Sequence, residues 1–441
     1  MPKYFGTDGI RGIPWKFPFT EDFLKKLGYA SSSILGLNKS KKVFVGSDSR
    51  KSSDTIKKYL FSGLRASGAF PIDLGTVNTP LVAYSCIKEK AAFGIMVSAS
   101  HNPPEFNGVK FFNSLGEKIS EKQEEEIEKE IDFNLKNKSF PKASADKTDF
   151  SDKYCDFIVS TFPDPSVFKG LKIVLDCSNG GAYKIAPKVF SRLGIETKLI
   201  GVNPNGNNIN KGCGALDTLK MRSAVSKGKF FGGVSLDGDA DRCILADEKG
   251  ELMDGDDIVA CLSSFIYGKK KKSAVLTVMS NYGLFKYLKT KRIKTYEVSV
   301  GDRNVTEAMK KYKVSVGGEN SGHIILLDFL PTGDGILSSL WTIYAAASSG
   351  LTLSQTKNNW KRYPQKLLAL KVEEKKQLEK IPGFINAVKE KEKKIKGRIF
   401  VRYSGTEPLL RILAEGEDKN LVEKAALEIA EIYKSASALR R

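Results

Sequence analysis

Residues 171–201 read LKIVLDCSNGGAYKIAPKVFSRLGIETKLIG. LKIVLD (171–176) is a short apolar run of the kind that forms a buried strand. Asn179-Gly180-Gly181 turns the chain, a helix is expected over about 182–193, Gly194 stops it, and IETKLIG returns as a strand. Such buried βαβ units favour a sheet covered by helices on both faces.

The same plan recurs on either side. Upstream, VFVG (43–46) precedes a helix-like stretch from Ser52 to Ala66. Gly68 fits its stop, FPIDL is a short strand, and a second helix near 79–89 leads into AFGIMVS. Downstream come SAVLTVM, a helix after Asn281, IKTYEV, a helix over 303–311, and VSV. Beyond about residue 364 the pattern changes to strand, helix (about 382–394), the strands RIFVRYS and LLRILAEG, and a long helix from Asn420. The expected fold class is α/β with four domains, at 1–148, 149–247, 248–358 and 364–441. The first three share one architecture, a mixed sheet between helices, and the fourth is a small α+β domain. The polar stretch SFPKASADKTD (139–149) is the expected first linker, and TKNNWKRYP (356–364) marks the last boundary.

A chain of 441 residues has room for several domains at roughly 100–150 residues each. Its net charge of +20 raises the question of a nucleic-acid partner. The lysine runs, GKKKK (268–272) and KEKEKK (389–394), are short and scattered, without the interleaved aromatics of a base-stacking surface. They read as solvated surface around a site for small anions, with no nucleic acid expected. Cysteines 86, 155, 177, 213, 243 and 261 form no CxxC pair, which argues against a structural zinc or a disulfide framework. No apolar run approaches the ~20 residues of a membrane span, and MPKYFGTDGIRG offers no signal-peptide core. The expectation is a cytoplasmic protein with no membrane partner.

The strongest local signal is LDGDADR (236–242). Asp237, Asp239 and Asp241 alternate, so in an extended loop three carboxylates converge on a hard divalent cation. An EF-hand is excluded, because Arg242 stands where that loop needs Gly and the flanks are strand-like. Magnesium with a phosphate oxygen fits, and Arg242 suits phosphate contact. In RYSGTEPLLR (402–411), Arg402 and Arg411 bracket the turn Ser404-Gly405-Thr406, whose donors suit a phosphate. GGENSGH (317–323) brings Glu319, Ser321 and His323, suited to sugar hydroxyls, close to flexible backbone. FGTDGIRG (5–12) sets Arg11 between glycine turns.

In VSASHNPPEFNGVKF (97–111), Pro103 and Pro104 forbid a helix after the strand, so Ser100 sits on a loop beyond a strand's carboxyl end, where open α/β sheets place ligands. Ser98 is the alternative nucleophile, expected to be less exposed as the strand's last residue. His101 and Lys110 can serve proton transfer or phosphate contact. His101 and His323, the chain's two histidines, both fall within these loops. A metal loop beside a serine, with a separate arginine cradle, points to phosphoryl transfer on a molecule held by a second phosphate.

These loops, SASHNPPEFNGVKFF, DGDADR, GGENSGH and RYSGTEPLLR in that order, resemble those of the α-D-phosphohexomutase family over nearly the whole chain. The resemblance implies that Ser100 carries the phosphoryl group and that, with Asp237, Asp239 and Asp241, it binds one Mg2+ per chain. It implies that Glu319 and Ser321 select sugar hydroxyls, and that Arg402, Ser404, Gly405, Thr406 and Arg411 hold the non-transferring phosphate. Arg11, His101, Lys110 and His323 match positions around the reacting centre; which of them takes the proton stays open, and Arg11 and Lys110 would need perturbed pKa values. FGTDGIRG, NPNGNNINKGCGALD, TVMSNYGL and VGDRNV resemble the branch that interconverts glucosamine 6-phosphate and glucosamine 1-phosphate. That branch uses a sugar 1,6-bisphosphate as activator and intermediate, and feeds UDP-N-acetylglucosamine and cell-wall synthesis. The expected partners are small hexosamine phosphates and, as family members are often dimers, a second copy of the chain. Asn320, Tyr403 and HNPPEF depart from the branch's usual residues. The nearest rival is the branch acting on mannose and glucose phosphates, and the rival of another class is an inactive basic scaffold.

Overall fold

The computed structural model describes residues 3–37, 40–135, 138–265, 272–357, 359–404 and 408–438. They fall into two compact units, Met1–Met279 with Ile293–Asn358, and Ser280–Arg292 with Asn359–Arg441.

The first unit carries three sheets in succession. In chain order the first holds β1 (Ile10–Gly12), α1 (Glu21–Leu35), β2 (Lys42–Ser47), α2 (Ser53–Ala66), β3 (Phe70–Thr76), α3 (Thr79–Lys88), β4 (Phe93–Val97), β5 (Asn107–Asn113), α4 (Glu121–Lys129) and β6 (Asp146–Lys147). Its strand order is β1-β5-β4-β2-β3-β6. Strands β2, β3 and β4 run parallel, while β5 turns back antiparallel to β4. One face packs Val43, Val45, Ile95, Val97 and Val109 against Phe23, Leu27, Leu60 and Ile127 of the helices. On the other face Val82 and Cys86 of α3 press close on Gly46 and Gly94. Helices α1 and α2 cross so tightly that a Cβ on Gly63 would lie 1.9 Å from the Lys25 carbonyl oxygen.

The second sheet follows α5 (Ser151–Ser160) and contains β7 (Lys172–Asp176), α6 (Ile185–Arg192), β8 (Glu196–Ile200), α7 (Leu219–Ser226), β9 (Gly232–Leu236), β10 (Cys243–Ala246) and β11 (Leu252–Met253). Its order is β11-β10-β9-β7-β8, with β7, β8 and β9 parallel and β10 antiparallel to β9. After α8 (Gly255–Phe265), the third sheet contains β12 (Ser273–Thr277), β13 (Lys294–Val298), β14 (Val316–Gly318) and β15 (Ile324–Leu326), in the order β13-β12-β14-β15. Between β12 and β13 runs α9 (Tyr282–Thr290), which belongs to the second unit. Then come α10 (Asp302–Tyr312), α11 (Gly335–Ser348) and α12 (Leu353–Lys357). Here too β14 is parallel to β12, and β15 returns antiparallel.

One topology thus occurs three times. Each sheet ends its parallel run with a strand that folds back into an antiparallel neighbour, and each fold-back loop holds one motif, SASHNPP, DGDADR or ENSGH. Ligand sites of open α/β sheets lie beyond such strand ends. The stretch 139–149, read as a linker, also extends the first sheet: its β6 pairs with β3 at Ile72↔Asp146 and Asp73↔Lys147.

The second unit is an antiparallel sheet of β16 (Gln365–Lys371), β17 (Arg398–Tyr403) and β18 (Leu409–Glu415), with β18 central. The helices α13 (Phe384–Ile395) and α14 (Lys419–Ala438) close its core with Phe384, Ile395, Val422, Ala426 and Ile429. Arg398 donates to Glu415 and, at 2.9 Å, to the Ser280 carbonyl at the foot of α9. Among the described residues no helix is long and apolar enough to cross a membrane.

Candidate active site

Ser100 stands three residues beyond the end of β4, in left-handed backbone with φ +52°. Its Oγ donates to Asp237 Oδ2 at 2.6 Å and lies 3.2 Å from His101 Nδ1. Exposure does not separate it from Ser98, because both are fully buried. Hydrogen bonding does. The Ser98 hydroxyl donates to Asp48 Oδ2 at 2.6 Å and accepts from the Ser100 N–H at 2.9 Å. Its oxygen is bound into the loop's scaffold, whereas the Ser100 oxygen faces the acidic loop. Gly238 lets that loop come close, since a Cβ there would lie 2.4 Å from the Ser100 carbonyl oxygen.

Asp237, Asp239 and Asp241 are buried, and one oxygen from each falls within a span of 4.8 Å. Lys110 Nζ, 1% exposed, contacts Asp239 Oδ2 at 2.8 Å, Asp241 Oδ2 at 3.1 Å and Asp8 Oδ2 at 3.0 Å. Thr79 Oγ1 donates to Asp239 Oδ2 at 2.6 Å. Yet Oδ1 of Asp239 and Oδ1 of Asp241 are buried without a hydrogen-bond partner. Buried carboxylate oxygens left without a hydrogen bond are costly, and three hard oxygen donors at this spacing fit a divalent cation of the magnesium type. Burial, then the charges of Asp241 and Asp239, push the Asp237 carboxyl well above its ordinary range. For Asp241 burial acts upward too, but Lys110 and His323 outweigh it and hold the group well below.

His101 is pushed down to about 4 by burial and by the nearby charges of Arg242 and Arg11. Burial also works against the charge on Lys110, but Asp239, Asp241 and Asp8 raise it well above its ordinary value. That is opposite to the shift a lysine base requires. His323 lies with Nδ1 3.6 Å from Asp241 and Nε2 3.5 Å from Asp302, and these carboxylates raise it against the effect of burial. Arg11 donates to Asn102 Oδ1 at 3.0 Å and pairs with Asp8. The Arg242 N–H donates to Asp237 Oδ1 at 3.1 Å, and its Nε lies 3.9 Å from Asp241. On the third fold-back loop, Glu319 accepts from the Gly301 N–H at 2.9 Å, with the Ser321 hydroxyl 3.5 Å from its other oxygen.

In the second unit, Arg402 and Arg411 are direct cross-strand partners in β17 and β18. Ser404 accepts from Lys375 Nζ at 2.7 Å through its carbonyl. Gly405 and Thr406 lie outside the described residues.

Sequence reasoning missed several groups. Asp8 joins Lys110, Lys118 (2.5 Å) and Arg11, and Lys118 continues at 2.6 Å to Asp302, which faces His323. Asp8 sits within FGTDGIRG and Asp302 within VGDRNV, so the motifs held the signal, but nothing in their spacing singled out the acid. Lys118 and Thr79 carry no such signal.

The chain matches the four domain profiles of phosphoglucomutase/phosphomannomutase in order. The α/β/α domain I covers residues 2–138, α/β/α domain II 152–250, α/β/α domain III 254–363, and the C-terminal domain 367–432. The chain belongs to the phosphoglucomutase/phosphomannomutase family. Among its relatives in that family, the phosphoglucosamine mutase of Caldicellulosiruptor bescii is 43% identical over 99% of each chain. That of Vibrio atlanticus is 40% identical over 98% of each. A phosphoglucomutase/phosphomannomutase family protein from Burkholderia thailandensis superposes with a TM-score of 0.81 at 20% identity, covering 99% of this chain and 98% of the other. An Aspergillus fumigatus N-acetylphosphoglucosamine mutase, solved with GlcNAc-6P and magnesium, gives 0.69 at 20% identity over 99% and 96%. At such identities the two structures speak for the fold.

Proposed function

We propose that this protein interconverts glucosamine 6-phosphate and glucosamine 1-phosphate through a phosphate carried on Ser100. The observation that carries the chemistry is the Ser100 oxygen 2.6 Å from Asp237, at the edge of a buried three-aspartate cluster. The choice of sugar rests on full-length relatives named phosphoglucosamine mutase.

The phosphoryl group on Ser100 passes to a free sugar hydroxyl. The bond from phosphorus to the Ser100 oxygen breaks and one to the sugar oxygen forms. The sugar's hydroxyl proton leaves to a group of the protein, and the freed serine oxygen takes one up. The product is a sugar 1,6-bisphosphate, the same compound that serves as activator. It turns over, and its other phosphate returns to Ser100. Asp237, Asp239, Asp241 and the phosphorylated Ser100 would hold one Mg2+, which when bound neutralises charge on the phosphoryl oxygens. Arg11, His101, Lys110 and His323 surround the transfer. Of these, His101 lies within hydrogen-bond reach of the Ser100 oxygen, at 3.2 Å. Arg242 contacts phosphate, Glu319 and Ser321 bind sugar hydroxyls, and Arg402, Ser404, Gly405, Thr406 and Arg411 take the phosphate that is not transferred.

The test is kcat/KM for the phosphates of glucosamine, glucose and mannose, with Mg2+ and a sugar 1,6-bisphosphate present. The glucosamine phosphates are expected to lead by at least about tenfold, the scale of one well-placed polar contact. A preference for mannose 1-phosphate would overturn the assignment.

A further inference from the structure

Arg50 lies behind the Ser100 loop with its side chain fully buried, beside an equally buried Asp48. A guanidinium has five N–H donors. Here Nε donates to Asp48 Oδ2 at 2.9 Å, Nη1 to the carbonyls of Pro103 and Phe106 (2.9 Å), and Nη2 to those of Ser100 (3.0 Å) and Asn102 (2.7 Å). All five donors are therefore spent, four of them on backbone between residues 100 and 106. The carbonyls of Ser100 and Asn102 also accept from Asn210 Nδ2, at 2.9 and 3.0 Å. Asn210 comes from the loop after β8, in the sequence holding the second sheet.

We propose that Arg50, seconded by Asn210, is the positioning residue that holds the Ser100 turn with its oxygen toward the aspartate cluster. This rests on the reading of Ser100 as phosphate carrier. Left-handed backbone at a serine is unfavourable and persists only where the surroundings impose it. The loop has little means of its own, since Pro103 and Pro104 lack N–H groups and its internal backbone bonds are Asn102 N–H to Ala99 and Phe106 N–H to Pro103. Arg50 and Asn210 instead fix the Ser100 carbonyl from outside. Asp48 completes the frame: one oxygen takes the Arg50 N–H at 3.0 Å, the other takes the Ser98 hydroxyl, which in turn receives the Ser100 N–H. Both sides of the Ser100 residue are thereby pinned, and its side chain faces Asp237.

Lysine at position 50 keeps the charge but cannot span five acceptors from one ammonium. Arg50→Lys is expected to lower kcat on glucosamine 6-phosphate by about a hundredfold, the scale of a small misplacement of a reacting group, with KM within about threefold. Asn210→Ala, which strands no buried charge, should lower kcat by about tenfold. In both variants amide hydrogen exchange should quicken over residues 98–108 and stay unchanged in the other sheets. A folded Arg50→Lys with kcat within twofold of wild type, or with KM rising at unchanged kcat, overturns the proposal. If Arg50→Lys fails to fold, Asn210→Ala decides by the same two readouts. Wild-type protein inactive on every sugar phosphate would sink the mutase reading alone, because exchange over 98–108 still reports whether Arg50 and Asn210 hold the turn.

Discussion

Ser98 and Ser100 differ less in exposure than in what their oxygens hold. Ser100→Ala is expected to abolish turnover and to lack the single phosphate that intact-mass analysis should show on the wild type. Ser98→Ala should keep that phosphate and still turn over, slowed by no more than about tenfold as in Asn210→Ala, but melt earlier. It leaves the Ser100 N–H short of a partner, at about 1–3 kcal/mol, while the Asp48 oxygen keeps its bond from Arg50 Nε. A phosphate retained in Ser100→Ala would refute the assignment. At this scale the sequence exposed the residues that sit in glycine- or proline-rich turns: Ser100, the three aspartates and both histidines. It hid Arg50, Asn210, Asp8 and Lys118. Their work consists of bonds across 50 to 110 residues of chain, and neither composition nor spacing encodes such partners.

Among the elements, α11 shows how one carboxylate links a helix start to its surroundings. Asp334 caps the helix by accepting from the Ile336 and Leu337 N–H groups, each at 3.0 Å, and receives the Tyr154 hydroxyl. Burial raises its carboxyl to about 6, against an ordinary value near 4. The folded chain therefore binds this proton more tightly than the unfolded chain between those values. Stability from this group falls as pH rises from about 4 to about 6, and the loss persists above. Asp334→Asn keeps a capping oxygen and removes the titration. Its melting temperature should gain on the wild type as pH rises through that window, and parallel melting curves for the two would contradict this. Helix α11 itself had no readable period, because nearly every residue from Gly335 to Ala346 is buried and no polar face remains to set against an apolar one. The central strands were legible for the opposite reason: short fully buried runs such as FGIMV, bounded by turn residues, admit few other readings. The edge strand β6 was not, since two exposed residues paired to β3 look like any polar linker.

Over the whole molecule, the repeated βαβ plan was visible because each copy carries its own strand, stop and turn signals. The third copy hides one fact: α9, read as the crossover between two of its strands, clusters with the C-terminal unit. Periodicity reports that a helix exists and says nothing of which core it joins. The threefold topology accounts for the first unit's chemistry, because equivalent fold-back loops bring a serine, three aspartates and a glutamate to the same end of their sheets. The central claim is that phosphate moves from Ser100 to the sugar and not to water. Enzyme carrying an 18O-labelled phosphate on Ser100, mixed with Mg2+ and unlabelled glucosamine 6-phosphate for a single turnover and followed by mass spectrometry of the Ser100 peptide and of the small molecules, tests this directly. The account predicts that the label leaves the peptide and appears in the sugar phosphates, while unlabelled phosphate from the sugar takes its place on Ser100. Label that stays on Ser100, or leaves as inorganic phosphate, would contradict it.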